Sequence, residues 1–283
     1  MFRLVLLIML FMSMIFLIVA ETAGNNGRGY RSSPVDSISK GITKSLNNAD
    51  RIAPDLANAI EKVDISLPRF GEKEEEVSPN VGADLTGQDF SGAQKADEVF
   101  ASAQLTDTIF LGAKLDKSSL EAAIGSRPNF RKARMTETVL NAAAFTEANF
   151  EEANLRKASV RGAFVTNSNF TSADFLGTSF AGTDLSGSKL VDAFGAGASF
   201  VGATLTGVDF ANTDLRTARF SQATMDGANF EGADLGGADF ENANLSGASF
   251  VGAIGMTQEQ LDLACGNKAT KLPEGLTVLL CAG

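Results

Sequence analysis

Histidine and tryptophan are absent from this sequence, and tyrosine occurs once. Without histidine there is no His-dependent triad, no imidazole metal ligand and no use of the commonest general base. The scarcity of tyrosine and tryptophan stands beside 21 phenylalanines. One type of position is therefore asking for Phe repeatedly. Cysteine occurs twice, as Cys265 and Cys281. With no histidine and no further thiol, a zinc site has too few soft ligands. In an oxidising compartment the pair would form a disulfide; in a reducing one it would be two free thiols. Positive charge is also short, with 24 Lys and Arg against 34 Asp and Glu, a net charge of −10. That balance argues against general affinity for nucleic acid or anionic membrane surfaces. No Ser/His or Cys/His pairing, phosphate-cradling Gly-rich loop or calcium-binding nonapeptide is found. No catalytic residue, cofactor site or metal site is assigned, and a non-enzyme is expected. The competing reading, an unusual site near Gly125 or Gly195, would need a deep polar pocket there.

What is present begins with an apolar run from Leu4 to Ala20, preceded by Arg3 and broken only by Ser13. It is longer than most signal-peptide cores and shorter than most membrane spans. A cleaved signal and an uncleaved anchor both remain open for residues 1–20. Either exports the chain, to the periplasm or to the outer side of the inner membrane, and the only membrane link is this segment. Residues 21–34 are rich in Gly, Asn and Ser and read as a linker. Residues 35–67 carry apolar positions at Ile38, Ile42, Leu46, Ala49, Ala53, Leu56, Ile60 and Val63, an amphipathic helical spacing that Pro54 interrupts. A helix folded back on the domain is the reading favoured over a docking or self-association segment. Residues 68–80 form a charged spacer, mostly acidic.

From Leu85 to Phe250 every fifth residue is large and apolar, without insertion or deletion, across 34 units. Only Lys95, Gly125 and Gly195 depart from this, and they are expected as local bulges or re-aimed loops. Two residues earlier in each unit, 22 of the 34 are Ala and eight are Ser or Thr. A period of five fits neither helix nor strand. It fits a coil of five-residue sides with one large residue pointing inward from each. Every fourth large residue forms the column Phe90, Phe110, Phe130, Phe150, Phe170, Leu190, Phe210, Phe230 and Phe250. Two sides away runs a second Phe-rich column; the remaining two are Leu, Met and Val, with Phe145 and Phe175 as exceptions. The true period is therefore twenty. Charges twenty apart are complementary as well: Arg127 and Glu147, Arg131 and Glu151, Lys132 and Glu152, Glu137 and Lys157, Lys189 and Asp209, Arg219 and Asp239. Salt-bridge ladders between coils are expected to account for much of the basic cluster.

The Ala-Asp/Asn-Leu/Phe-x-x unit over residues 81–254 resembles that of the pentapeptide repeat family. The resemblance implies an all-β solenoid, a right-handed four-sided parallel β-helix, here about 40 Å long at about 4.8 Å per coil. It also implies a core ladder built on the eight Phe of the first column. Such a rod needs end caps. Residues 255–283 supply one, with a capping box at Thr257 and Gln260 and a helix expected to run to about Ala264. A Cys265–Cys281 disulfide would close this cap.

The function expected from these features is a non-enzymatic exported envelope protein, a rigid scaffold or protein-interaction module with an unknown protein partner. Self-association is left open. The family supplies an alternative, a DNA-mimicking regulator of a topoisomerase. DNA carries one charge per about 1.7 Å, so a 40 Å mimic would want about 24 negative charges. Residues 81–250 hold 21 acidic and 13 basic residues, a net of 13 − 21 = −8.

Overall fold

The computed structural model describes residues 78–281. The readings of residues 1–20, 21–34 and 35–67, and of the spacer up to 77, fall outside the described residues.

Each five-residue unit builds one straight edge and one corner. The small residue and the large residue point inward, and the residue between them points out. The next two make the corner. Along the repeat, the corner's second residue has positive φ at all 35 positions from Gly82 to Gly252, 19 of them not glycine. The N–H of the small residue then closes most turns on the carbonyl three residues back, as from Ala103 to Phe100 at 3.0 Å. A left-handed residue at the third place of a four-residue turn bends the chain sharply without breaking the ladder.

Corners repeated at this interval bring the chain back over itself every twenty residues. Parallel bridges link residues twenty apart in four columns that begin at Asp84, Asp89, Gln94 and Val99. The result is a parallel β solenoid. Three coils carry slightly longer strands on one side: β1 (Ile124–Ser126), β2 (Ala144–Thr146) and β3 (Phe164–Thr166), paired in that order.

The inward residues fill the coil completely. Phe110, Phe130, Phe150, Phe170, Phe210, Phe230 and Phe250 are 0–1% exposed, whereas Phe90 at the N-terminal end is half-buried. Rings one coil apart lie nearly parallel, with centroids 5.2 Å apart for Phe110–Phe130, 4.5 Å for Phe150–Phe170 and 4.8 Å for Phe210–Phe230. The second column stacks alike through Phe180, Phe200, Phe220 and Phe240. The columns meet edge to face, for example Phe210 on Phe220 at 6.0 Å and 85°. Stacked and edge-to-face pairs each add about 0.5–1.5 kcal/mol beyond area burial.

Gly195 does not bulge, which corrects the expectation there, whereas Gly125 lies in the longer strand β1 and leads into a widened corner. Both keep the twenty-residue register, Gly125 paired with Phe145 and Phe194 bridged to Asp174 and Asp214. At Gly195 the physical reason is volume exchange between coils. A Cβ on Gly195 would lie 2.0 Å from Phe175, whose ring occupies the space that Gly195 leaves. At Gly125 the backbone of Leu105 comes within 2.7 Å of a notional Cβ, and buried Phe145 stands in the next coil. Phe175, one of the two inward Phe residues outside the Phe columns, is thus the partner of the side chain missing at Gly195. Lys95 keeps its register too. Its ammonium pairs with Glu98 at 3.1 Å and lies 5.8 Å from the Phe90 ring, at the end of the solenoid.

At the C-terminal end the coil continues with insertions. Cys265 bridges Asn244 and Lys271 bridges Ser249. The helix α1 (Gln258–Leu261) starts at Thr257, whose hydroxyl accepts from Gln260 N while the Gln260 side chain accepts from Thr257 N. It is shorter than expected. The Leu263 carbonyl accepts from Asn242 N at 2.9 Å, which draws the chain back to the ladder before another helical turn can form. Two short strands close the end, β4 (Cys265–Gly266) and β5 (Leu279–Leu280), in parallel.

The volume exchange predicts that Gly195→Ala destabilises by about 1–3 kcal/mol through overpacking. Adding Phe175→Leu should recover most of the loss. Thermal unfolding of the two single variants and the double variant measures this; additive losses would contradict it.

Candidate functional site

The inner wall of the rod accepts hydroxyls only where they can be satisfied. Thr108, Thr138 and Thr178 are fully buried, and each donates to a carbonyl of the preceding coil, Leu85, Leu115 and Leu155, at 2.9, 2.8 and 2.6 Å. Thr183, Ser188 and Thr213 do the same to Val160, Val165 and Leu190. A buried hydroxyl without a partner would cost about 1–3 kcal/mol. Where the three longer strands widen the corner, Ser168 and Ser188 accept from the N–H of Ala148 and Ser168, both at 3.0 Å.

On the outer wall, the Asp or Asn that precedes the large residue serves the corner. Its Oδ1 accepts from the backbone N–H two residues on, in fourteen units, as at Asn129–Arg131 and Asp184–Ser186. This local bond is why Asx residues recur there. Hydrogen bonds from Thr86 and Ser91 hold the carboxyls of Asp84 and Asp89 below the ordinary carboxylate range. At Asp214 the main cause is the Arg216 guanidinium, which in turn is held more firmly protonated.

The basic cluster is largely answered by carboxylates, partly by different ones than the spacing suggests. Arg131 reaches Glu151 and Glu152 at 3.4 and 3.3 Å, and Lys132 reaches Glu152 at 3.5 Å. Arg127 turns to Asp107 in the preceding coil, making two bonds of 2.9 Å, instead of to Glu147. Arg134 and Arg156 pair diagonally with Asp116 and Asp174 at 3.1 and 2.6 Å. Among the described residues Glu137–Lys157, Lys189–Asp209 and Arg219–Asp239 do not form ion pairs. Asp209 and Asp239 are instead committed to the corner N–H groups of Ala211 and Glu241 and to Asn229 and Ser221. An exposed ion pair is worth too little to displace those bonds.

Cys265 and Cys281 form a disulfide with Cα atoms 4.8 Å apart. It ties β4 to the residue that follows β5. Among the described residues no group of three or more His, Cys, Asp or Glu is placed to hold a metal ion. The outward aromatic residue Phe164 escaped the sequence reading, and Phe194, beside Gly195, shares its exposure. Phe164 is 61% and Phe194 55% exposed, on different bridge columns, and Phe164 shares its column with exposed Ile124. The signal was available: both are aromatic at the outward position, which elsewhere holds Asp, Asn, another polar or small residue, or at most Val or Ile.

The geometry therefore defines a class: a parallel β solenoid of twenty-residue coils with one large inward residue per five. Residues 129–162, 148–187 and 223–254 match the pentapeptide repeats family, and residues 193–234 match a second profile for the same repeat. The chain belongs to the pentapeptide repeat family. No curated protein sequence matches it. Among solved structures it is similar to HetL, a pentapeptide repeat protein involved in heterocyst differentiation regulation from the cyanobacterium Nostoc. Identity is 22%, with 67% of this chain and 84% of that chain covered and a TM-score of 0.39. Full-length QnrB1, a plasmid-mediated fluoroquinolone resistance protein, is 14% identical, covering 68% of this chain and 92% of that chain with a TM-score of 0.34. Rfr23 from the cyanobacterium Cyanothece is 24% identical, covering 46% and 91% with a TM-score of 0.24.

Closing the loop between Cys265 and Cys281 contributes about 3 kcal/mol in the chain-entropy account. Cys281→Ser should lower the unfolding midpoint, most steeply for the cap. The same drop should follow from reduction of the native protein and be absent on reduction of the variant, as read by thermal scans with and without a dithiol.

Proposed function

We propose that this chain is a non-enzymatic, exported envelope protein whose right-handed, four-sided rod acts as a rigid scaffold for a protein partner. The observation that carries the reading is how fully the rod's polar chemistry is spent on the rod. The Asx carboxylates and amides hold corners, the buried hydroxyls hold carbonyls one coil below, and most of the basic cluster is paired. What remains on the outside is a set of flat faces with isolated apolar residues such as Phe164 and Phe194. Surfaces of this kind suit protein contact better than turnover. The apolar N-terminal run and the disulfide support export, because thiols are kept reduced in the cytosol.

The DNA-mimic reading is the alternative, and it is weaker on charge: basic residues interrupt the acidic ones along the rod. Fractionation of cells that express the full chain separates the two. The protein is expected in the envelope fraction, where cross-linking should capture a protein partner. A cytoplasmic pool that inhibits a type II topoisomerase would contradict the scaffold reading.

A further inference from the structure

The coil ladder ends unevenly, and the uneven place has the features of a binding slot. In the last full coil, Asp234, Asn244 and Ser249 are bridged by Ile254, Cys265 and Lys271. The fourth side, at Asp239, has no strand above it among the described residues. One coil lower, the N–H groups of Thr217 and Phe220 donate to Gly236 and Asp239 at 2.9 and 2.7 Å. Their counterparts here, Gly237 and Phe240, have no acceptor among the described residues. Between this edge and α1 lies a groove of about 460 Å³, whose lining includes Asp239, Glu241, Glu259 and Leu263.

The groove is selective in a definable way. The carbonyls of Leu235 and Ala238 are already taken by the Gln260 side-chain amide, at 2.9 and 2.7 Å. The edge therefore offers donors without acceptors. Glu241 and Glu259 are exposed and form no ion pair among the described residues. They disfavour a carboxylate on those N–H groups and leave the neutral carbonyls of a peptide backbone as the fitting acceptors. The same carboxylates attract Lys or Arg side chains, and Leu263, 63% exposed, offers an apolar contact. We infer that this groove takes an extended, basic segment of a protein partner by strand addition. The inference rests on the scaffold reading and gives it a docking point.

The test uses the full chain and an acetylated, amidated pentapeptide alternating valine and lysine, with a valine–glutamate counterpart as control. Hydrogen exchange over residues 237–242 is followed during titration. The lysine peptide should slow exchange there about tenfold at saturation, and Glu241→Gln with Glu259→Gln should weaken its binding about fivefold to tenfold. The glutamate peptide should have no effect. No slowing at millimolar peptide, or equal slowing by both peptides, overturns the inference. So does protection that rises with protein concentration alone, which would identify a second copy as the occupant. Envelope capture can fail while the peptide still protects this segment, and the reverse, so the inference and the scaffold reading fail separately.

Discussion

The structure depends on one steric constraint: each side of the coil has a single large inward slot, and the slots of successive coils lie directly above one another. Volume can therefore be traded only along a column. Gly195 and Phe175, one coil apart, show the trade at its limit, since the ring fills the place of the missing side chain. The Phe columns follow from the same constraint. A flat ring stacks on its like at the spacing that the bridges impose, and the opposite column meets it edge on.

Polar groups are arranged around what the slots exclude. Inside, only small hydroxyls are admitted, each donating to a carbonyl. Outside, the residue between the two inward ones is free in type but is drawn into the corner when it is Asp or Asn. The corner's second residue is left-handed in every unit, even where it is Lys, Arg or Glu. Long charged side chains at these corners are thereby stacked at twenty-residue intervals, as in Arg127 over Asp107 and Lys132 beneath Glu152. Electrostatics here follows the backbone geometry.

Much of this was legible in the sequence. The twenty-residue period follows from the Phe column alone, because the side-chain repeat and the coil are the same length. The start of α1 was legible from Thr257 and Gln260, a bond pattern only three residues long. Other features were not. The end of α1 depends on Asn242, twenty-one residues before Leu263. The direction taken by Arg127 depends on whether the neighbour above or below is nearer, and a period alone does not distinguish them. Gly195 and Phe175 were visible as separate exceptions; joining them requires knowing that they face each other one coil apart. The open edge at Gly237–Glu241 lies inside the repeat, but the chain that would cover it follows Phe250, where the period is lost, so pattern reading does not show the edge to be open.

The central claim is that the stacked twenty-residue column, and not the five-residue unit, stabilises the rod. Comparing two deletions by thermal unfolding tests it directly. Removing residues 201–220 takes out one coil and leaves every column in register; the shortened rod should keep one cooperative transition near the original midpoint. Removing residues 201–205 takes out one side and moves every later large residue into the wrong column; its transition should broaden and fall far lower. Equal tolerance of the two deletions would contradict the account.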